Sequence, residues 1–215
     1  RAALEAAATA VLARAAAVYP EGYATLSPAP LCEAPEEVGL RALSRLLTCI
    51  AGHDYGPRLE RLQRLYGWFA QGQSAGTGRT LAGCRIIRRG ERFLICREAA
   101  AVQDPVATLD GVVWDGRFRL AADGRVPNGS RVGRLGRKGW EKLVRECPEV
   151  RKTDLPAAVR LSLPAIWTLD EVTAVPHLCH QWDRETSMAR PVDKITFCPA
   201  RPLSAALFDS SAGFP

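Results

Sequence analysis

Three groups of residues in this 215-residue chain have the types and spacing that chemistry would need. The first is His177, Cys179 and His180 with Asp183 close behind, a set that a metal ion or a thiol nucleophile could use. A structural zinc site needs closely spaced ligand pairs, and no second cluster accompanies this one. The segment is also rich in Pro and Trp, so nothing fixes the directions of these side chains as a helix would. Surface histidines beside a buried cysteine are the simpler reading. The second group, Gln73 to Thr80, resembles a phosphate loop in its Gly and Thr content. Such a loop requires G-x-x-x-x-G-K-[ST] between a strand and a helix, so that backbone amides and a helix N-terminus face the phosphates. Here Gln73 stands in place of the first glycine and Arg79 in place of the lysine, and a helical pattern precedes while a strand pattern follows. A flexible loop fits better.

The third group is basic. Arg79, Arg85, Arg88, Arg89, Arg92 and Arg97 crowd one predicted hairpin and its turn. Period-two alternation places Arg85 on the face opposite Cys84 and Ile86, while Arg88, Arg89 and Arg92 gather at the tip. Like charges this close repel unless an anion spreads over them. Arg58, Arg61 and Arg64 recur at every third position on a predicted helix, where a solvated face and a phosphate-tracking face are both consistent readings. The charge is uneven along the chain: residues 76–147 carry 15 basic against 8 acidic groups, whereas the whole chain has a net charge of +6. A local excess of this kind has two readings of equal weight: an anionic partner, most often nucleic acid, with phosphate contacts that give affinity and registration, or a well-solvated surface in an Arg-rich proteome.

Composition bounds the remaining classes. At 47% hydrophobic and 24% charged, with 18 Gly and 15 Pro, the chain is ordinary for a globular protein and unlike a collagenous or low-complexity one. No apolar run approaches the length of a membrane helix, and the Ala-rich opening is broken by Glu5 and Arg14, unlike a signal peptide. The seven cysteines are odd in number and widely spaced, without a C-x-x-C pair, so reduced, buried thiols in a cytoplasmic protein are expected. Because the chain begins with Arg1 and its single methionine is Met188, an N-terminal part of a longer polypeptide is expected to be missing.

The elements that must hold these groups read as α+β: an N-terminal helical module followed by a mixed β-rich module. Residues 1–72 form the helical part, with Tyr19-Pro20-Glu21-Gly22 ending a first helix. A second helix begins after Pro35, carries Leu40, Leu43, Leu46, Leu47 and Ile50, and stops at Gly52, next to a His53 that caps or faces solvent. A third begins at Pro57 and turns Leu59, Leu62, Leu65, Tyr66 and Phe69 inward. Residues 73–78 read as a linker, 79–208 as the β-rich module and 209–215 as a frayed tail. The first hairpin is expected to run through Arg88-Arg89-Gly90-Glu91 into Arg92–Arg97. Further strands are expected around Val112–Trp114, Arg117–Leu120, Leu163–Leu169, Val172–Val175 and Lys194–Cys198, with a turn at Asp123-Gly124. Arg137 to Cys147 reads as an amphipathic helix.

Several short motifs, in order, resemble the C-terminal region of bacterial tRNA(Ile)-lysidine synthetases of the alphaproteobacterial type. They are Gly39-Leu40-Arg41-Ala42-Leu43, Tyr55-Gly56-Pro57-Arg58-Leu59, Gly78-Arg79-Thr80-Leu81-Ala82-Gly83-Cys84-Arg85-Ile86, Leu94-Ile95-Cys96-Arg97-Glu98, Trp114-Asp115-Gly116-Arg117-Phe118, Ser162-Leu163-Pro164-Ala165 and Ala174-Val175-Pro176-His177-Leu178. The resemblance implies a parent ATP-dependent carbon–nitrogen ligase that adenylates the wobble cytidine of an isoleucine tRNA and couples lysine to it. That chemistry belongs to an N-terminal ATP-pyrophosphatase domain with an S-G-G-x-D-S loop, which this sequence lacks. No catalytic residue, metal ligand or cofactor is therefore assigned to this chain, while ATP and Mg are expected of the parent. The expected partners are the isoleucine tRNA and the missing catalytic domain, with no membrane and with a homodimer left open. Arg41, Arg58, Arg79 and Arg85, in the matching motifs, together with Arg88, Arg89 and Arg92, are the expected nucleic-acid-binding residues; pairing with local carboxylates is their alternative role. A freestanding RNA-binding protein and a metal- or thiol-dependent enzyme are the competing readings.

Overall fold

The computed structural model describes residues 2–71, 78–121, 128–178, 180–181 and 194–203. The chain is α+β, with helices concentrated at the N-terminal end and strands beyond them. Its contacts divide it into two compact units, Arg1–Glu98 with Pro199–Pro215, and Ala99–Cys198.

The first unit opens with helix α1 (Ala2–Ala15), then strands β1 (Ala16–Tyr19) and β2 (Tyr23–Leu26), and helices α2 (Pro28–Glu33), α3 (Glu36–Ala51) and α4 (Leu59–Ala70). Strands β3 (Arg79–Leu81), β4 (Cys84–Arg89) and β5 (Arg92–Arg97) follow. They join β1 and β2 in one five-stranded antiparallel sheet of order β1-β2-β5-β4-β3, which leaves β3 on an edge. The apolar stripe of α3 explains the packing: Leu43, Leu46, Leu47 and Ile50 are fully buried, as are Ile86 and Ile95 on β4 and β5. Helix α3 lies against those two strands, and the Cys84 thiol donates to Leu47 O at 3.4 Å. Gly52 caps α3 at φ +70°, a left-handed conformation that glycine adopts without a Cβ clash. Trp68 and Phe69 of α4 meet Phe93 of β5 edge-on, at centroid distances of 5.0 and 4.6 Å.

Two sequence expectations change here. Residues 16–26 form a hairpin rather than a helix end: Pro20 to Gly22 make the turn, and Tyr19 and Tyr23 stack across it at 4.4 Å. Once β2 is formed, its free edge must pair, and it does so with β5. Leu59, expected inward, is 59% exposed, because α4 starts at that residue and its buried face runs through Leu62, Leu65, Trp68 and Phe69.

The second unit carries β6 (Val106–Ala107), β7 (Val113–Trp114), β8 (Phe118–Ala121), β9 (Arg131–Arg134), α5 (Gly136–Glu146), α6 (Ala157–Arg160), β10 (Pro164–Thr168), β11 (Glu171–Val175), β12 (His180–Gln181) and β13 (Lys194–Phe197). These strands form a five-stranded sheet, β12-β11-β10-β9-β6, and a three-stranded one, β13-β8-β7. Trp114, Phe118, Leu120, Val132, Ile166, Ala174 and Ile195 make its apolar core. The strands expected around residues 112–120, 163–169, 172–175 and 194–198 all form, and α5 begins one residue before its expected start. The turn expected at Asp123-Gly124 and the tail at 209–215 lie outside the described residues.

Candidate nucleic-acid interface

The basic residues of the first unit fall into two kinds, those consumed by the fold and those left open. Arg41 belongs to the first. Its guanidinium donates to Glu5 Oε1 at 2.6 Å and sits 3.5 Å from Glu37, so it ties α3 to α1. The hydrogen bond that Arg41 donates to Glu5, supplemented by Glu37, raises the pKa of Arg41 above its ordinary value. Arg45 is engaged in the same way by Thr9 Oγ1 at 2.8 Å, by Glu5 and by the carbonyl of Leu203. Arg97, counted in the sequence with the basic hairpin, is buried and donates to Gly83 O at 3.3 Å, with His53 Nε2 at 3.4 Å. These three arginines hold the scaffold together.

Most of the others lie open. Arg58 is exposed at the N-cap of α4, where its carbonyl accepts from the amides of Arg61 and Leu62. Arg85 is exposed between buried Cys84 and Ile86, as the period-two pattern requires. Arg89 and Arg92 are exposed and directly opposite one another in the β4–β5 register, flanking the turn at Gly90-Glu91. Arg88 is half-buried, and its Nε donates to Gly90 O at 3.0 Å. Among the described residues, Arg58, Arg61, Arg79, Arg85, Arg89 and Arg92 make no ion pair with a carboxylate. Cations without a carboxylate partner on α4, β3, β4 and β5 give this part of the surface a positive potential.

Sequence reading missed the concavity between them. A second hairpin turn, Ala82-Gly83, separates β3 from β4, with φ values of +51° and +71°. It folds Arg79 back toward α4, where the guanidinium stacks over the Trp68 ring at 5.1 Å. Together α4 and this hairpin enclose a cleft of about 500 Å³, lined among others by Arg61, Arg64, Arg79, Thr80, Gly83 and Glu98. Positive φ at a non-glycine such as Ala82 is uncommon, which is why a turn there is hard to foresee. The arginine spacing on α4 was the available signal.

The other candidate groups give no assembled site among the described residues. Arg79, which stood where a phosphate loop has its lysine, lies on a strand rather than at a helix N-terminus, so the residues present do not fit a loop for ATP phosphates. Among the described residues there is no group of three or more His, Cys, Asp or Glu that could hold a metal ion. Cys179 and Asp183 lie outside the described residues, and the His177 ring packs edge-on against Phe118 at 5.5 Å. The Trp114-Asp115-Gly116-Arg117-Phe118 motif is structural: Arg117 Nε donates to Asp115 Oδ2 at 2.7 Å inside the second unit. No helix among the described residues is long and apolar enough to cross a membrane.

Comparison with known proteins finds relatives among the tRNA(Ile)-lysidine synthases. No family model matches the chain. It is 29% identical over 168 residues to the tRNA(Ile)-lysidine synthase of Ruegeria pomeroyi, covering 77% of this chain and 36% of that protein. It is 31% identical over 157 residues to the synthase of Caulobacter vibrioides, covering 70% of this chain and 36% of the relative. The match to the Wolbachia pipientis enzyme is shorter, 33% over 104 residues. The chain thus spans a little over a third of the length of the first two relatives, and it is homologous to that part of them.

Proposed function

We propose that this chain is the tRNA-binding C-terminal portion of a tRNA(Ile)-lysidine synthase. In this reading its first unit lays Arg58, Arg61, Arg79, Arg85, Arg88, Arg89 and Arg92 against the phosphates of an isoleucine tRNA in the cytoplasm. The observation that carries the reading is the set of arginines without a carboxylate partner among the described residues, Arg58, Arg61, Arg79, Arg85, Arg89 and Arg92, on a chain homologous to part of those enzymes. Arg41 supports this surface indirectly, by fixing α3 on α1. The chemistry, with its ATP and Mg, would belong to a separate catalytic domain, and this portion would supply affinity and registration.

The test is tRNA binding by this chain across a salt series, with the isoleucine tRNA beside an unrelated tRNA. Phosphate-driven binding weakens by about 0.9 log units per neutralised phosphate for each log unit of salt on duplex, and about 0.7 on single strands. A steep slope with preference for the isoleucine tRNA supports recognition by this portion. Weak, equal binding of both would remove it. The removal of these residues from the whole enzyme should likewise lower tRNA selectivity; unchanged selectivity counts against the proposal. An in-frame S-G-G-x-D-S segment upstream separates it from a freestanding RNA-binding protein.

A further inference from the structure

We infer that the cleft between α4 and the β3–β4 hairpin is a discrete phosphate-binding pocket, distinct in kind from the diffuse basic surface around it. Three arginines line it from two elements: Arg61 and Arg64 one helical turn apart on α4, and Arg79 on β3. Their placement is constrained. Arg79 is stacked on the Trp68 ring, a buried residue of α4, and Arg64 Nε is anchored on Glu60 O at 3.3 Å. Arg61 has no carboxylate partner among the described residues.

The backbone adds donors. β3 is an edge strand, so its outer side makes no ladder hydrogen bonds. In an antiparallel ladder alternate residues turn their N–H and C=O outward, and the Leu81–Cys84 pair that closes the two-residue turn is the inward-bonded one. The next residue, Thr80, therefore directs its amide to the open edge, and its hydroxyl is on the same short strand that lines the cleft. Glu98 also lines the cleft, which leaves three cations against one anion there. Planar, bidentate guanidinium groups suit the tetrahedral, multiply accepting oxygens of phosphate better than a single-point anion.

The inference deepens the RNA-binding reading by giving one localised contact within it, and its phosphate could be an internal phosphodiester or a terminal monoester. Two measurements on the full chain separate these cases. Titration with inorganic phosphate, followed by the Nε–Hε resonances of the arginines, should give saturable shifts confined to Arg61, Arg64 and Arg79. In the Arg61→Gln/Arg64→Gln variant the apparent affinity should fall at least tenfold. Both positions are exposed on α4, and an unchanged thermal melt verifies the fold. The Arg151→Gln/Lys152→Gln variant, at exposed positions of the second unit, should keep the response. Next, single neutral methylphosphonate substitutions along the tRNA should weaken binding most at one position, and that penalty should vanish in Arg61→Gln/Arg64→Gln. Loss at the terminal phosphate alone assigns the monoester; loss at an internal position assigns the diester. Absence of saturable phosphate shifts overturns the pocket even when tRNA binds. Phosphate shifts without any tRNA binding keep the pocket and overturn the RNA-binding reading.

Discussion

Arg117 Nε donates to Asp115 Oδ2 at 2.7 Å with side chains only 0% and 1% exposed, so the second unit carries a nearly dry ion pair. The pair is well supplied with partners. Gln103 N donates to Asp115 Oδ1 at 2.9 Å, Asp115 N donates to Gln103 Oε1 at 2.7 Å, and the Arg117 guanidinium lies 4.9 Å above the Phe118 ring. Arg117 Nη2 also reaches Ser162 O at 3.5 Å. The tight turn at Asp115-Gly116, with φ values of +54° and +63°, brings the two side chains together between β7 and β8.

Removing one partner strands the other in a core that includes Trp114 and Phe118. Asp115→Ala or Arg117→Ala should each cost about 3–5 kcal/mol, because an uncompensated buried charge remains. The double variant Asp115→Ala/Arg117→Met should cost much less than the sum of the two. Denaturant unfolding read by Trp fluorescence measures this; additive losses would show that the two residues do not act as a pair.

Gly39 marks a second constraint. A Cβ at this position would meet Tyr66 Oη at 2.6 Å and Leu31 O at 2.7 Å, the two atoms joined by the Tyr66–Leu31 hydrogen bond of 2.9 Å. Gly39→Ala must therefore displace the ring or break that bond, even though alanine favours a helix. A loss of about 1–3 kcal/mol is expected, as for other overpacked sites. Gly39→Ala combined with Tyr66→Phe should recover part of it in a thermal melt.

Those two motifs show how much of the molecule was legible in sequence. Apolar periodicity placed α3, α4, β5, β8 and β10 because each buries one continuous stripe, and Gly52 announced the end of α3. What periodicity could not show was partnership. The strands β1 and β2 are four residues each, too short to stand out beside long helices, and they exist because β5 offers them an edge. The same limit applies to the arginines. Arg41, Arg58, Arg85 and Arg97 look alike as letters, and only the positions of Glu5, Gly83 and His53 separate the consumed from the open. The cleft was invisible because it depends on a turn through Ala82 at positive φ.

Alkaline pH should destabilise the first unit. Burial pushes the Cys49 thiol up from 9.0 to about 12, against the opposing pull of the Leu203 backbone and Arg45. Burial likewise raises Tyr23, with Glu21 adding to it, and raises Cys32 and Tyr66. For a neutral acid whose folded pKa is raised, the stabilisation is complete below the unfolded pKa and is lost as pH rises toward the folded one. Stability measured between pH 7 and 12 should thus hold to about pH 9 and then fall, as expected from an unfolded thiol pKa near 9. Cys49→Ala should flatten part of that fall. Native-state alkylation at pH 8 should modify exposed Cys32 ahead of buried Cys49, Cys84 and Cys96.

The last expectation concerns Arg89 and Arg92, which face each other across the β4–β5 ladder. Like charges in directly opposed positions destabilise a sheet, and an opposite-charge pair there is worth about 0.2–1 kcal/mol. Arg92→Glu should therefore raise the stability of the isolated chain slightly while it weakens tRNA binding and lowers the salt slope. An anion-receiving surface produces this opposition of signs, because its repulsion is relieved when the ligand arrives. Thermal melts and a salt series on the same variant read both halves. If Arg92→Glu stabilises the chain and leaves tRNA affinity and slope unchanged, the hairpin tip lies outside the interface and binding rests on α4 and β3.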